Sequence, residues 1–155
     1  MLKSTLSVVI AIPLAVSFCL PPADPLEAYF EDIESITQEF VQSRDAYNTV
    51  AMRASIDKTS SAYQAQLDSA SSRRRVLIRN LGLLENMVPD DDVARYHDLQ
   101  IDVHKLSIEW LDEILIAYSE NYSRRATDEA YDKAQRILGS IDFVKSEMQR
   151  WLLAR

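Results

Sequence analysis

The chain has 155 residues, with 24 acidic and 17 basic side chains, a formal net charge of −7 and a single cysteine. This length suits one domain, which buries roughly two-thirds of the surface its unfolded chain exposes, and leaves no room for a second. One cysteine excludes an intramolecular disulfide, and the acidic balance opposes nucleic-acid binding.

Lys3 is the only charged side chain among the first twenty residues, and the apolar run Leu6 to Leu20 follows it, in the order of a secretory leader. At about 15 residues the run falls short of the ~20 that cross a bilayer as a helix, and Pro13 would kink one. Residues 1–20 are therefore expected to form a signal peptide or lipoprotein leader rather than a permanent span. Ala15-Val16-Ser17 offers the small residues of a cleavage site, with a mature chain beginning at Phe18. Alternatively, Leu14 to Cys19 resembles a bacterial lipobox, with Cys19 as the lipid-attachment residue, although Phe18 stands where that pattern has Gly, Ala or Ser. Either exit implies export to the periplasm or cell surface, with a membrane tether through the N-terminus if Cys19 is acylated.

Residues 21–25 form a proline-rich spacer, and Asp24, Pro25 and Glu27 make a helix start of cap, first-turn proline and acid. From 26 to 155 the chain reads as one helical domain, since glycine occurs only at 82 and 139 and the one later proline is Pro89. Apolar residues recur at alternating spacings of three and four, the stripe of an amphipathic helix. Leu26, Phe30, Ile33, Ile36, Phe40, Tyr47, Val50 and Ala54 make the first stripe, and Tyr63, Leu67, Ala70, Leu77, Leu81, Leu84 and Val88 the second. The stripe loses phase between Ala54 and Tyr63, which predicts a turn over Ser55–Ser61; an unbroken first helix of about 60 residues, giving a three-helix bundle, is the alternative.

Pro89 and the acids Asp90 to Asp92 mark the next boundary. The third predicted helix carries Tyr96, Leu99, Val103, Leu106, Trp110, Ile114 and Ala117, and a second apolar set of Ile101, Ile108, Leu111 and Leu115 that suits either core or a dimer seam. A connection over Asn121–Ala126, with Thr127 as cap, leads into the fourth stripe of Ala130, Ala134, Ile137, Ile141, Val144, Met148 and Trp151. Four helices of about 45 Å joined by short turns predict an all-α, up-down-up-down antiparallel four-helix bundle. Charge agrees with that order. Residues 24–47 hold seven acids and one base, 58–87 two acids and five bases, 90–122 nine acids and two bases, and 124–155 five acids and seven bases. Neighbours in such a bundle carry opposite signs, a pattern that selects topology more than it stabilises the fold.

Enzyme signatures are missing. Two isolated glycines make no phosphate loop or nucleophile elbow, one cysteine cannot attach a c-type haem, and His97 and His104 lack the glutamate three residues earlier that di-iron bundles use. The two histidines lie about 10 Å apart along one helix face, too far for one metal. Either of them with Met52, Met87 or Met148 has the residue types of a haem iron pair, but polar positions at the core edge explain them better, and no cofactor is assigned. Arg73, Arg74, Arg75 and Arg79 are expected to face acidic neighbours, with Asp98, Asp102 and Glu39 as candidates; Arg74 interrupts the second stripe and is the residue expected to be specially paired. The carboxylates Asp98, Asp102, Glu109, Asp112 and Glu113 read as a solvated face, and Asn121-Tyr122-Ser123 is a glycosylation sequon in form only. The expected function is non-enzymatic: an exported envelope protein that binds another envelope protein, or itself, through the bundle end bearing Lys58, Arg124 and Arg125. A bundle that holds haem, a metal or a lipid is the alternative.

Overall fold

The computed structural model describes residues 24–119 and 124–155. The leader, Cys19, most of the proline-rich spacer and the Asn121 sequon lie outside the described residues. Within them the protein is all-helical, with α1 Pro25–Asp32, α2 Glu34–Asp57, α3 Ser60–Glu85, α4 Asp91–Ala117 and α5 Arg124–Leu153. None of these helices is long and apolar enough to cross a membrane.

Helix starts follow local chemistry. The Asp24 carboxylate accepts the Leu26 N–H at 2.9 Å with Pro25 in the first turn, and the Thr59 hydroxyl oxygen accepts the Ala62 N–H at 3.3 Å. Between α2 and α3 the chain turns at Lys58, whose φ of 50° is left-handed, so the 60-residue helix does not form. Two boundaries differ from expectation. The first stripe breaks at Ile33 into α1 and α2; the backbone of α1 comes close to α4, whereas α2 reaches α4 through side chains, Phe40 against His104 and Tyr47 against Trp110. At the other end α5 begins at Arg124, so Thr127 lies inside the helix and donates its hydroxyl to the Arg124 carbonyl instead of capping.

The helices pack in the order α2, α3, α4, α5, with α4·α5 the most extensive contact and α1 laid against α4 and α2. Among the described residues, interhelical ion pairs join only neighbours in that order: Arg79 with Glu39, Arg74 with Asp112, Lys105 with Glu85, and Lys133 with Glu113 at 2.6 Å. The alternation of charge along the chain is thus realised between α2 and α3, α3 and α4, and α4 and α5. The predicted square is not closed, however, because no Cα of α2 comes within 8 Å of one in α5.

Burial sorts into two apolar clusters. One gathers Tyr29, Ile33, Ile36, Leu84, Val93 and Tyr96; the other gathers Tyr47, Ala70, Leu77, Leu111, Ile114 and Ala134. Leu111 is fully buried, and Ile101, Ile108 and Leu115 are partly buried against these clusters, so the second apolar set of α4 contributes to the core. Phe30 and Val88, assigned to stripes by periodicity, are exposed; Tyr29 takes the inward place beside Phe30.

Candidate functional site

The inner face of α3 repeats in sevens. Ala70, Leu77 and Leu84 form one buried column, and Gln66, Arg73 and Asn80 form a second that is equally buried and entirely polar. At seven-residue spacing both columns stay on one face of the helix, so the polar column runs along the middle of α3. Its partners come mainly from α2. Gln66 Nε2 donates to the Tyr47 hydroxyl at 3.2 Å and Asn80 Nδ2 to the Ile36 carbonyl at 3.3 Å. α4 adds His97, whose Nδ1 shares a 3.0 Å hydrogen bond with the Tyr29 hydroxyl, and His104, whose Nδ1–H donates to the Gln100 carbonyl at 2.8 Å. Both histidines are interior residues and not rim residues.

Arg73 has no such partner. It is only 7 % exposed, yet its guanidinium makes no ion pair among the described residues and its Nε finds no acceptor. Three rings surround it, with centroids at 5.8 Å for Phe40, 5.9 Å for Tyr47 and 5.7 Å for Trp110. Desolvation lowers its pKa from 12.5 to about 10. Asp45 opposes that shift only weakly, since it is itself paired with Arg44 at 2.8 Å. Three further buried polar atoms lie unpartnered along the same interior: Asn80 Oδ1, His104 Nε2 and Trp110 Nε1. Arg74 has the special pairing expected of it, but the burial falls on its neighbour. Arg74 meets Asp112 at the half-exposed α3–α4 boundary, Arg79 meets Glu39 as expected, and the buried arginine is Arg73, one position earlier.

Where α2 and α5 fail to meet, the polar column opens into a cleft of about 460 Å³. All four long helices contribute to it. Tyr47, Tyr63, Trp110, Tyr118 and Tyr131 supply rings, Asn48, Gln66 and Gln135 supply amides, Lys58 supplies an ammonium group, and Ala51 and Ile114 are its only aliphatic residues. Tyr63 and Tyr118 lie nearly parallel, 22° apart with centroids 6.1 Å from each other, and Tyr47 stands edge-on to Trp110 at 5.4 Å. Among the described residues no carboxylate lines the cleft. Another hollow, bounded by Asp24, Glu27, Phe30 and Glu34, is the outer side of a single chain segment that no second helix faces.

No family model, curated protein or solved structure matches the chain. The site therefore has to be read from its own chemistry. Of the predicted partner residues, Lys58 lines the cleft, whereas Arg124 and Arg125 begin α5 as exposed side chains, Arg125 paired with Glu129 at 2.8 Å. The described residues contain no cluster of three or more His, Cys, Asp or Glu able to hold a metal. What the cleft offers is flat aromatic surface, amide hydrogen bonds and positive charge, which are groups that hold a molecule.

Proposed function

We propose that this protein is an exported, non-enzymatic binding protein of the cell envelope, built as an up-down-up-down bundle whose α2–α5 cleft is its ligand site. The open cleft carries this reading: a bundle made only to be stable would close α2 on α5 over the rings. Export rests on the leader-like residues 1–20, with cleavage after Ser17 or acylation at Cys19 as the two routes. Native mass spectrometry of the chain from its own host tests the ligand reading. A small molecule should remain bound to the native chain and be absent from Ala51→Trp, which fills the cleft; a native chain without any adduct would argue against it.

A second reading, capture of another envelope protein, draws on the same end of the bundle. Met52 and Ile56, one turn apart on α2, are 62 % and 72 % exposed, beside Arg53 and Lys58. Apolar residues rimmed by basic ones suit an acidic protein surface. Replacing Arg124 and Arg125 by Glu is expected to abolish partner recovery in a pull-down, and unchanged recovery would remove those residues from the contact.

A further inference from the structure

The cleft's chemistry narrows what it holds, on the premise that it is a ligand site. Five aromatic side chains from four helices line it, with only Ala51 and Ile114 aliphatic, so a flat body gains more contact there than a flexible alkyl chain. A volume of about 460 Å³ lies within the range of roughly 300–1,000 Å³ of small-molecule sites.

Charge fixes the sign of the guest. The chain has 24 acidic side chains, yet none of the described ones lines this cleft. Lys58 lines it and makes no ion pair among the described residues. Just beyond the wall, the Arg73 guanidinium lies against Tyr47 and Trp110, two rings that the cleft exposes, with no counter-ion of its own. An uncompensated guanidinium in the interior is costly, and a negative charge beyond those rings would offset that cost. Lys58 also holds a left-handed backbone position that glycine fills with least strain, and glycine would place no ammonium group at the cleft.

We infer that the α2–α5 cleft binds a planar aromatic monoanion, its rings held among Tyr47, Tyr63, Trp110 and Tyr118 and its charge balanced by Lys58 and Arg73.

Isothermal titration calorimetry of the full chain with three probes tests this: 2-naphthoate, the cationic 2-naphthylmethylamine and the aliphatic anion octanoate. Naphthoate should bind about tenfold or more tighter than either of the others. Lys58→Gln and Arg73→Met should each weaken naphthoate binding by about fivefold or more. Amine binding equal to naphthoate overturns the charge assignment, and octanoate equal to naphthoate overturns the planar body. Unchanged affinity in both variants overturns the roles of Lys58 and Arg73. Should Arg73→Met not fold, Lys58→Gln and Tyr63→Ala, which remove side chains from the cleft lining alone, decide the matter. Failure here is separable from failure of the ligand reading: a native adduct that is neither aromatic nor anionic sinks only this inference, whereas a chain with no adduct that also ignores all three probes sinks both.

Discussion

Tyr29 and His97 show how much a single buried hydrogen bond carries in this core. The Tyr29 hydroxyl sits inside the ring cluster of Tyr96 and His97, and burial raises its pKa, so it stays protonated and bonded to Nδ1. Tyr29→Phe leaves that nitrogen buried without a partner, and a loss of about 1–3 kcal/mol is expected in urea unfolding, shrinking when His97 is also replaced by Leu. His104 gives a pH signature. Desolvation lowers its pKa below the ordinary 6.5, the bond to the Gln100 carbonyl opposing this only in part. Because the unfolded chain accepts a proton near 6.5 and the folded chain resists it, stability should fall as pH drops from about 6.5 toward the lower folded value. The decrease in urea midpoint between about pH 7.5 and about pH 5.5 should be smaller in His104→Gln, and equal slopes would contradict the assignment. Arg73 is the residue least legible in the sequence. From Ala70, both three and four residues onward stay near the inner face, so periodicity alone could not choose between Arg73 and Arg74. The seven-residue recurrence of Gln66, Arg73 and Asn80 is the available signal, a polar column that the apolar periodicity does not report. Arg73→Met should unfold at higher urea, by about 1 kcal/mol or more, because it replaces an unpaired buried charge with an apolar side chain of similar length, even as it weakens naphthoate binding.

At the scale of the elements, legibility followed the strength of the punctuation. The α5 stripe is legible at its centre, where Ala130, Ala134, Ile137 and Ile141 are all buried. Pro89 with the acids of 90–92 set the start of α4, and the lost phase after Ala54 set the turn at Lys58. The break at Ile33 carried no such mark, because an isoleucine flanked by Asp32 and Glu34 gives no local reason to stop a helix. Beyond it α1 approaches α4, a tertiary contact that no local pattern reports. Start of α5 three residues before Thr127 has a related origin: a hydroxyl can cap, but it can equally donate back to a carbonyl within the helix, and here it does. The Lys58 turn supports a direct prediction. A lysine in the left-handed region is disfavoured relative to glycine, so Lys58→Gly should raise thermal stability by about 0.5–1 kcal/mol while reducing affinity for naphthoate. A variant that is less stable would show that the Lys58 side chain makes contacts that outweigh the backbone cost.

Among the described residues the helix backbones approach one another in the order α2, α3, α4, α5, with α2 and α5 farther apart on either side of the cleft, and this decides where the bundle opens. α4 is held by α1, α3 and α5 and contributes nine buried residues, whereas α2 is held by α3, a small contact with α1 and the rings of Phe40 and Tyr47 against α4, and buries only Ile36, Tyr47 and Ala54. α5 also has a single neighbour, but through the most extensive contact in the structure. Sub-global opening should therefore release α1 and α2 first and the α4–α5 pair last. Charge alternation could reveal which helices are neighbours, and it did so for three boundaries; whether the fourth side closes depends on side-chain volume across α2 and α5, which no single-chain periodicity reports. Native-state hydrogen exchange should find the amides of α2 between Tyr47 and Ala54 less protected than those of α4 between Leu99 and Leu111. Saturating naphthoate should slow α2 selectively, because a guest in the cleft touches α2 and α5 together and supplies the contact that the free protein lacks. Uniform protection across α2 and α4 would mean that the helices unfold only as a unit, and that the open side of the bundle is as firmly held as its centre.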